Sequence, residues 1–339
     1  MYSVVDLGTL APGRSSGSDI NNRGDVVGIV DLTPENLPPG PHGGISNGAI
    51  GLLKARAFLW RKGRMRDLGP FPGSRFVGVD AINDSGQVLA HGMMADGFYN
   101  TFLWEKGRVR DLGRLGDRDG GAHSISKMGV IVGRWEAGIA SRAFAWTSKA
   151  GRKLLTTPEG EDSLASGIND RGEIVGAISR PGQGYQACVW RNGRILFLGR
   201  LGNSYSFADA VNNRGDVVGH SAIRGSDYRS HAFLWRKGKI TDLGVLPGYD
   251  DSEPTDINDS GVVVGNVIYG LVGETTTDKK GWGQHPFLWK AGKMCDLNDL
   301  IPPASGWEVK GPSGINDAGF ITGQGTHNGR ERAYLLIPR

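Results

Sequence analysis

The side chains best suited to acid–base chemistry are spread along this sequence and avoid its most repetitive parts. Histidine changes charge close to neutral pH, which makes it the commonest group for proton transfer. The seven histidines are His42, His91, His123, His220, His231, His285 and His327. None lies in the short Gly-containing turns that recur along the chain. We therefore assign all of them to the variable segments on one side of the molecule.

A second set of polar residues stands two positions before a recurring Ile or Val, inside segments that are otherwise apolar. The set is Ser18, Asp80, His123, Ser166, Asp209, Thr255 and Ser313. If these segments are strands around a central channel, their polar side chains form a ring near its mouth. Two interpretations stay open: a functional ring, or side chains that hydrogen-bond the preceding loop. His123 is the exception, because it replaces a small residue.

These patterns, together with the residues just after the predicted second strands and the aromatic residues of the variable segments, give two groups of candidate site residues. The catalytic candidates are His123, His91, His220, Asp209 and Arg134. The ligand-binding candidates are Asp80, Tyr205, Trp135, Trp282 and His285. A His beside a Tyr or an Arg suits proton abstraction with elimination, cyclisation or hydrolysis, and aromatic rings offer flat contact area for sugars. We predict one pocket at the channel mouth, partly covered by a 267–286 loop that carries Trp282 and His285.

Three short motifs recur seven times and must position these residues. They are "FLW", as at Phe58–Trp60, "INDxGxVVG", as at 257–265, and "DLG", as at Asp67–Gly69. The undisturbed spacing is 42–45 residues, which is the length of a four-stranded propeller blade. The Asn-Asp-x-Gly and Lys-Gly segments predict tight turns between short strands. We interpret the small residue after each "VV" pair as making room for a neighbouring Trp.

The termini predict how the ring closes. The chain starts with a lone fourth strand, "YSVVDLG", and ends after a third strand, "RAYLLIP". The last blade is therefore expected to combine both ends, which removes open sheet edges. The predicted fold is all-β: a single seven-bladed β-propeller over residues 1–339, with four antiparallel strands per blade. The six FLW tryptophans should be buried between blades.

Antiparallel strands place the repetitive turns on one face of the propeller, which we call the turn face. The other face, the loop face, holds the connections between second and third strands and between blades. Both long insertions, 31–54 and 267–286, belong to the loop face. Loops of this length are usually functional or disordered. The alternative is that these loops tolerate any residue.

The repeat pattern resembles the HAF repeat family. The matching motif is A-F-L-W-x-x-G-x-x-x-D-L-G followed by I-N-x-x-G-x-V-V-G, and the last unit, "DLNDLIPPASGWEVKGPSGINDAGFITGQG", is similar to the usual final repeat of that family. The resemblance covers essentially the whole chain. It implies a propeller-like fold and an extracellular location, and it implies no shared catalytic motif.

Net charge and the absence of known binding motifs limit the classes of partner and cofactor that this sequence predicts. A net charge of +4 on 339 residues is too small to indicate nucleic acid, and no apolar run approaches a membrane span. No phosphate-binding loop or metal-ligand spacing occurs, so we expect no cofactor, with a divalent metal at the channel mouth left open. The repeat begins at residue 2 and leaves no room for a signal peptide in the given sequence, so we expect a cytoplasmic protein, or an extracellular one if an export signal has been removed. We also expect a monomer. The expected ligand is a small molecule or saccharide; the alternatives are a protein-interaction scaffold that grips a partner with the two insertions, and a lectin-like module.

Overall fold

Seven small sheets form the protein. The computed structural model describes residues 1–32, 55–116, 121–137, 140–158, 161–226, 228–269 and 283–339. These residues form seven four-stranded sheets, each antiparallel throughout. Each innermost strand contacts the innermost strands of both neighbouring sheets, so the sheets close into a ring. The predicted seven-bladed β-propeller is confirmed.

The strands are numbered β1 to β28 in chain order, and blade 1 begins at β2. The innermost strands are β2 (Arg14–Ile20), β6 (Phe76–Ile82), β10 (Gly121–Ile125), β14 (Ser163–Ile168), β18 (Ser206–Val211), β22 (Asp251–Ile257) and β26 (Trp307–Ile315). The second strands are β3 (Val26–Asp31), β7 (Val88–Met93), β11 (Ile131–Ala137), β15 (Ile174–Arg180), β19 (Val217–Ala222), β23 (Val263–Tyr269) and β27 (Ile321–His327). The third strands are β4 (Ala55–Arg61), β8 (Tyr99–Glu105), β12 (Ala140–Thr147), β16 (Gly184–Arg191), β20 (Ser230–Arg236), β24 (Gly283–Lys290) and β28 (Arg330–Pro338). The outer strands are β5 (Arg64–Asp67), β9 (Arg108–Asp111), β13 (Gly151–Leu154), β17 (Arg194–Phe197), β21 (Lys239–Gly244), β25 (Lys293–Asp296) and, in blade 7, β1 (Tyr2–Asp6).

Blade 7 closes the ring with both ends of the chain. The N-terminal β1 pairs with β28 from Tyr2 opposite Pro338 to Asp6 opposite Tyr334. The last blade is therefore built as the termini predicted. Two short 3₁₀ helices, Asn298–Leu300 and Pro303–Ser305, precede β26. No helix within the described ranges has the length and apolar character needed to span a membrane.

The FLW tryptophans lie at the blade interfaces. Trp104, for example, packs with Val27 and Leu59 of the preceding blade. Trp104, Trp146, Trp190 and Trp289 are buried, whereas Trp60 and Trp235 are half-buried. The prediction of burial is confirmed at four positions and is wrong for Trp60 and Trp235, which pack against the core clusters but stay partly exposed. Where the indole is buried, it stabilises contact between sheets because it removes a large apolar area from water.

The small residue after each "VV" pair serves a different purpose from the one predicted. A Cβ on Gly28 would lie 2.0 Å from the carbonyl oxygen of Ser16 and 2.9 Å from the ring of Phe58. A Cβ on Gly219 would meet Phe207 and Phe233 in the same way. The interpretation that this residue makes room for a Trp is therefore wrong. The missing side chain at Gly28 and Gly219 instead leaves space for the backbone of the innermost strand and for the Phe ring of the same blade.

The asparagines of the INDxG motif form a hydrogen-bonded ring around the axis on the turn face. Each side chain accepts from the backbone of its own turn, as Asn212 does from Arg214 and Asp216. Its Nδ2 donates to the main-chain oxygen of the equivalent residue in the next blade. The six bonds run from Asn21 to Asn83, Asn83 to Ser126, Asn169 to Asn212, Asn212 to Asn258, Asn258 to Asn316 and Asn316 to Asn21, over 2.8–3.1 Å. The motif therefore joins blades as well as shaping turns.

Blade 3 interrupts this ring. Ser126 replaces the asparagine there, and its hydroxyl accepts from the backbone N–H of Val130 at 3.2 Å. A serine side chain is too short to reach the next blade, so among the described residues no equivalent bond runs to the carbonyl of Asn169. The residues after the asparagines form an outer ring, in which backbone N–H groups donate to side chains of the next blade, as from Lys127 to Asp170 at 2.8 Å.

Candidate functional site

A β-bulge at the same place in all seven innermost strands positions the polar ring. In β6 the ladder with β7 runs from Val79 to Ala81 and leaves out Asp80; in β18 it leaves out Asp209. The extra residues are Ser18, Asp80, His123, Ser166, Asp209, Thr255 and Ser313, which are the seven polar residues singled out in the sequence. A bulge re-aims the side chain of the extra residue. The polar character of these positions therefore follows from the bulge.

Two members of the ring have a structural function. The hydroxyl of Thr255 donates to the carbonyl oxygen of Pro312 at 3.0 Å, and that of Ser313 donates to Gly17 at 2.9 Å. Each bond crosses to the innermost strand of the next blade. For these residues the structural interpretation is the correct one, although the partner is the next blade rather than the preceding loop.

Two other members form carboxylate–imidazole pairs with the second strand. Nδ1 of His91 lies 2.8 Å from Oδ1 of Asp80, and Nδ1 of His220 lies 2.8 Å from Oδ2 of Asp209. Burial alone would lower the pKa of each histidine. The charge of the aspartate and its hydrogen bond outweigh burial and raise the pKa of both His91 and His220. The pairing fixes Nδ1 toward the carboxylate and leaves Nε2 for other partners.

The two pairs differ in what lies against the imidazole. His91 stands opposite Gly78 on the innermost strand, and a Cβ at residue 78 would lie 2.3 Å from Nε2 of His91. His220 stands opposite Phe207, whose ring stacks on the imidazole with centroids 5.2 Å apart. Glycine thus gives His91 its place against the strand, whereas an aromatic ring covers His220. Sequence reasoning missed Gly78, which counting residues through the hairpin opposite His91 would have found.

Blade 3 places a second histidine and an arginine beside the blade 2 pair. His123 is exposed at the channel, yet the surrounding protein displaces enough water to lower its pKa, and the nearby positive charges of Arg134 and His91 lower it further. Asp80 acts in the opposite direction without reversing the shift. Nη2 of Arg134 lies 3.1 Å from Oε1 of Glu136. We call Asp80, His91, His123 and Arg134 the blade 2–3 cluster.

A groove on the loop face borders this cluster. It has a volume of about 430 Å³ and lies between blades 1 and 2. Phe76 lines the groove, and its ring centroid is 6.2 Å from that of His91. Arg56 and Arg75 also line it, and Arg75 is exposed. Tyr99 adds an edge-on ring 5.6 Å from His91. A ligand in this groove would meet the positive charge of Arg75 and the ring of Phe76, which also lies beside His91.

A second group of residues lies at blades 5 and 6. Beside Asp209 and His220, the carboxyl of Glu253 has a pKa raised chiefly by burial, with the charge of Asp209 acting in the same direction and His220 against it. Tyr205 is 6.4 Å from His220 by ring centroids. In the part of the chain that the structure describes, neither Asp–His pair hydrogen-bonds to the other. These candidates thus form two hydrogen-bonded groups on the same face, and the single pocket that would join them stays a prediction.

The remaining binding candidates lie elsewhere or outside the described residues. His285 in β24 hydrogen-bonds through Nε2 to Asp296 of β25, at 2.5 Å. Trp135 packs into the core between blades 2 and 3, with the guanidinium of Arg152 4.3 Å from its ring. Trp282 and most of the 267–286 loop, as well as 33–54 of the first insertion, lie outside the described residues. The structure does not bring His285 or Trp135 to the polar ring.

His285 belongs to a repeated structural pair. His231 contacts Asp242 at 3.0 Å and His327 contacts Asp6 at 2.9 Å, as Asn100 contacts Asp111 in blade 2. Each of these aspartates is the Asp of a DLG-type motif and also accepts a backbone N–H two residues later, as Asp242 does from Gly244. Such an Asx turn ends the outer strand. Three of the seven histidines therefore serve the blade edges.

The opposite end of the channel offers carboxylates, among them Asp19, but no histidine among the described residues that line it. A cavity of about 160 Å³ opens there, and the INDxG residues line it. The ring bonds between blades already use the side chains of its asparagines. Within the described ranges no three His, Cys, Asp or Glu side chains are arranged to hold a metal ion. Among the described residues, the blade 2–3 cluster is distinguished by two interacting histidines and an adjoining groove.

Solved β-propellers resemble this fold at low sequence identity. The β-propeller domain of the Trilobed protease from Pyrococcus furiosus has a TM-score of 0.58 at 10% identity, over 96% of this chain and 94% of that chain. Oligogalacturonate lyase in complex with manganese has a TM-score of 0.56 at 11% identity, over 99% of this chain and 93% of that chain. Acylaminoacyl peptidase from Pyrococcus horikoshii has a TM-score of 0.53 at 10% identity, over 95% of this chain and 52% of that chain. These likenesses show the propeller fold alone.

No protein-family model and no curated protein matches the sequence. The resemblance to the HAF repeats therefore stays a prediction.

Proposed function

We propose that this propeller is an acid–base enzyme of the lyase type, with its site at the blade 2–3 cluster on the loop face. Its substrate is a small molecule or saccharide that carries a carboxylate. One observation carries the proposal: two neighbouring histidines have pKa values shifted in opposite directions, His91 upward and His123 downward. Titratable groups whose surroundings push their pKa values apart supply an acid and a base at the same pH.

His123 is the proposed base. Its lowered pKa keeps the imidazole neutral near pH 7, and its exposure at the channel lets a substrate reach it. His91 is the proposed acid, because Asp80 favours its protonated form. The hydrogen bond at Nδ1 leaves Nε2 as the nitrogen that donates. Asp80 is then a positioning residue, since it acts through His91.

Arg134 completes the proposed site. Removing a proton from the carbon next to a carboxylate places negative charge on that group, and a fixed guanidinium stabilises such charge. Arg75 in the bordering groove supplies further positive charge for an acidic substrate, whereas the charge of Arg56 is partly offset by Asp67 at 3.9 Å. This positive charge favours elimination over cyclisation or hydrolysis, which the same histidine pair would also serve.

The proposed step needs no oxidant, reductant or nucleotide cofactor. His123 takes the proton from the carbon that bears the carboxylate. The electron pair left behind forms a double bond to the adjacent carbon, whose bond to its oxygen substituent breaks. The leaving oxygen receives a proton from Nε2 of His91. One proton is gained and one is lost, so exchange with solvent restores the starting state.

The experiment uses oligosaccharides of uronic acids as probes and follows the ultraviolet absorbance of the new double bond. His123→Ala should lower kcat by roughly 10²–10⁴-fold, which is the usual contribution of a general base. His220→Ala is the matched control, because its Asp–His pair has the same geometry three blades away, and it should retain wild-type kcat. Loss of activity in His220→Ala with retention in His123→Ala would overturn the assignment. Absence of turnover on every uronate tested would overturn the proposed substrate class.

A further inference from the structure

A second groove, on the turn face between blades 4 and 5, concentrates positive charge. Its volume is about 430 Å³. The cationic side chains that line it are Arg171, Arg191, Arg214, Arg236 and Lys237. This groove lies on the face opposite the blade 2–3 cluster, so its chemistry does not depend on the proposed enzymatic function.

Two buried carboxylates hold three of these arginines in place. Arg171 and Arg191 contact opposite oxygens of Glu173, at 2.5 and 2.9 Å, and Arg236 contacts Asp216 at 2.8 Å. The carboxylate side chains are only 5% and 9% exposed, whereas the three arginines are 43–57% exposed. A guanidinium has five N–H donors, so each arginine keeps donors for a ligand after pairing. Fixed guanidinium groups lose little entropy when they bind an anion.

The groove has more positive than negative charge. Five cationic side chains face the two carboxylates Glu173 and Asp216, which leaves a surplus of three positive charges. Among the described residues, neither the Arg214 guanidinium nor the Lys237 ammonium has an ion-pair partner. Uncompensated positive charge in a concave, partly desolvated place attracts anions more strongly than the same charge on a flat surface.

The repeat alone does not produce this surplus. Between blades 1 and 2 the same scaffold occurs, with Arg23 and Arg61 on the buried carboxylate of Asp25. There the positions of Arg214 and Arg236 are occupied by Ser85 and Glu105. The excess charge between blades 4 and 5 is therefore a property of this groove, added to a structural pattern that the other interface shares.

We propose that the groove between blades 4 and 5 binds an oxyanion group with two or more negative charges. Arginine forks match the oxygen geometry of phosphate and carboxylate groups. Trp235 lines the groove and is half-buried, so its indole offers an apolar surface beside the cations. Phosphate esters and polycarboxylates share the required chemistry, and an attached planar ring would gain contact with Trp235.

The test is calorimetric titration of the full chain with inorganic pyrophosphate, a nucleoside diphosphate and citrate. The variant Arg214→Ser with Lys237→Asn removes two cations that hold no buried carboxylate, and Asn192 shows that asparagine adopts the same positive φ in the equivalent turn. The matched control, Lys62→Asn with Arg64→Ser, removes the same charge from the blade 1 turn. The wild type and the control should bind one pyrophosphate alike, and the groove variant should bind at least about tenfold more weakly.

Comparing the three probes shows which class of anion the groove binds. Tighter binding of the nucleoside diphosphate than of pyrophosphate supports contact between a planar ring and Trp235, and citrate binding that equals pyrophosphate indicates a polycarboxylate ligand. Equal weakening in the groove variant and in the control would mean that net charge alone attracts the anion and would overturn the proposal. Absence of binding by the wild type to all three probes would overturn it as well.

Discussion

Exchanging one residue between blades tests how the INDxG ring stabilises the propeller. Asn212 makes four side-chain hydrogen bonds: Nδ2 donates to Asn258 and to Asp216, and Oδ1 accepts from two backbone N–H groups of its own turn. Ser126, at the same position in blade 3, accepts one backbone N–H. Asn212→Ser should therefore keep one acceptor contact and lose the bond between blades. Ser126→Asn should create such a bond, to the carbonyl of Asn169.

The expected magnitudes follow from these counts. A lost hydrogen bond costs about 0.5–1.5 kcal/mol, and a buried polar group left without a partner costs about 1–3 kcal/mol. Because Asn212 and Asn258 are only 4% exposed, Asn212→Ser should lower the free energy of unfolding by roughly 2–4 kcal/mol. Ser126→Asn should raise it by about 1 kcal/mol.

Urea-induced unfolding, followed by circular dichroism and by tryptophan fluorescence, measures both changes. Asn203→Ser is the control, because Asn203 is exposed and its substitution should change stability by less than about 0.5 kcal/mol. If Asn212→Ser unfolded like the control, the ring would not join the blades as argued. A Ser126→Asn variant less stable than the wild type would show that blade 3 cannot accept the bond.

Three further predictions concern closure, packing and pH. Deletion of residues 1–6 removes the outer strand of blade 7 and exposes β28, so size-exclusion chromatography should detect aggregates; a monomer of wild-type thermal stability would contradict the closure. Trp146→Ala should cost roughly 3–5 kcal/mol in unfolding free energy through the cavity it leaves, and a cost below about 1 kcal/mol would show that the interface repacks. Burial, with the charge of Asp256, raises the pKa of Asp19 to about 8, and burial raises that of Asp256 to about 7. The folded state thus holds these protons more tightly than the unfolded state, and the contribution to stability should be lost as pH rises from about 4 to about 8. Asp19→Ser with Asp256→Ser should flatten that decline, and an unchanged pH profile would contradict it.

The repeat spacing was sufficient to predict the fold, because each unit carries its own turn chemistry and apolar strands. The ring closure was predictable from the two ends of the chain, the lone "YSVVDLG" at the start and "RAYLLIP" at the end. A strand that has no blade of its own must pair with the incomplete blade at the other end. The polar ring was located correctly for the same reason. The physical cause of its polarity, a bulge in every innermost strand, depends on pairing register and was not visible in the sequence.

The site was only partly predictable, because an Asp and a His eleven residues apart can pair in either of two different hairpins of a blade. Asp80 and His91 are eleven residues apart and meet at the channel, and His285 and Asp296 are also eleven residues apart but meet at the blade edge. Assigning each histidine to its strand distinguishes the two cases. The neighbours that shift the pKa of His123 come from blade 2 as well as blade 3, and such contacts follow only from how the blades pack.

The titration of the histidines by NMR tests the central claim most directly, because it needs no substrate. Single His→Gln variants assign the imidazole signals of His91 and His123 in the full chain. We expect the pKa of His91 to lie above the ordinary value of 6.5 and that of His123 below it. Asp80→Asn should lower both pKa values, because the Asp80 charge raises each of them. Two histidines that titrate together near 6.5, or in the reverse order, would contradict the assignment of one as acid and the other as base.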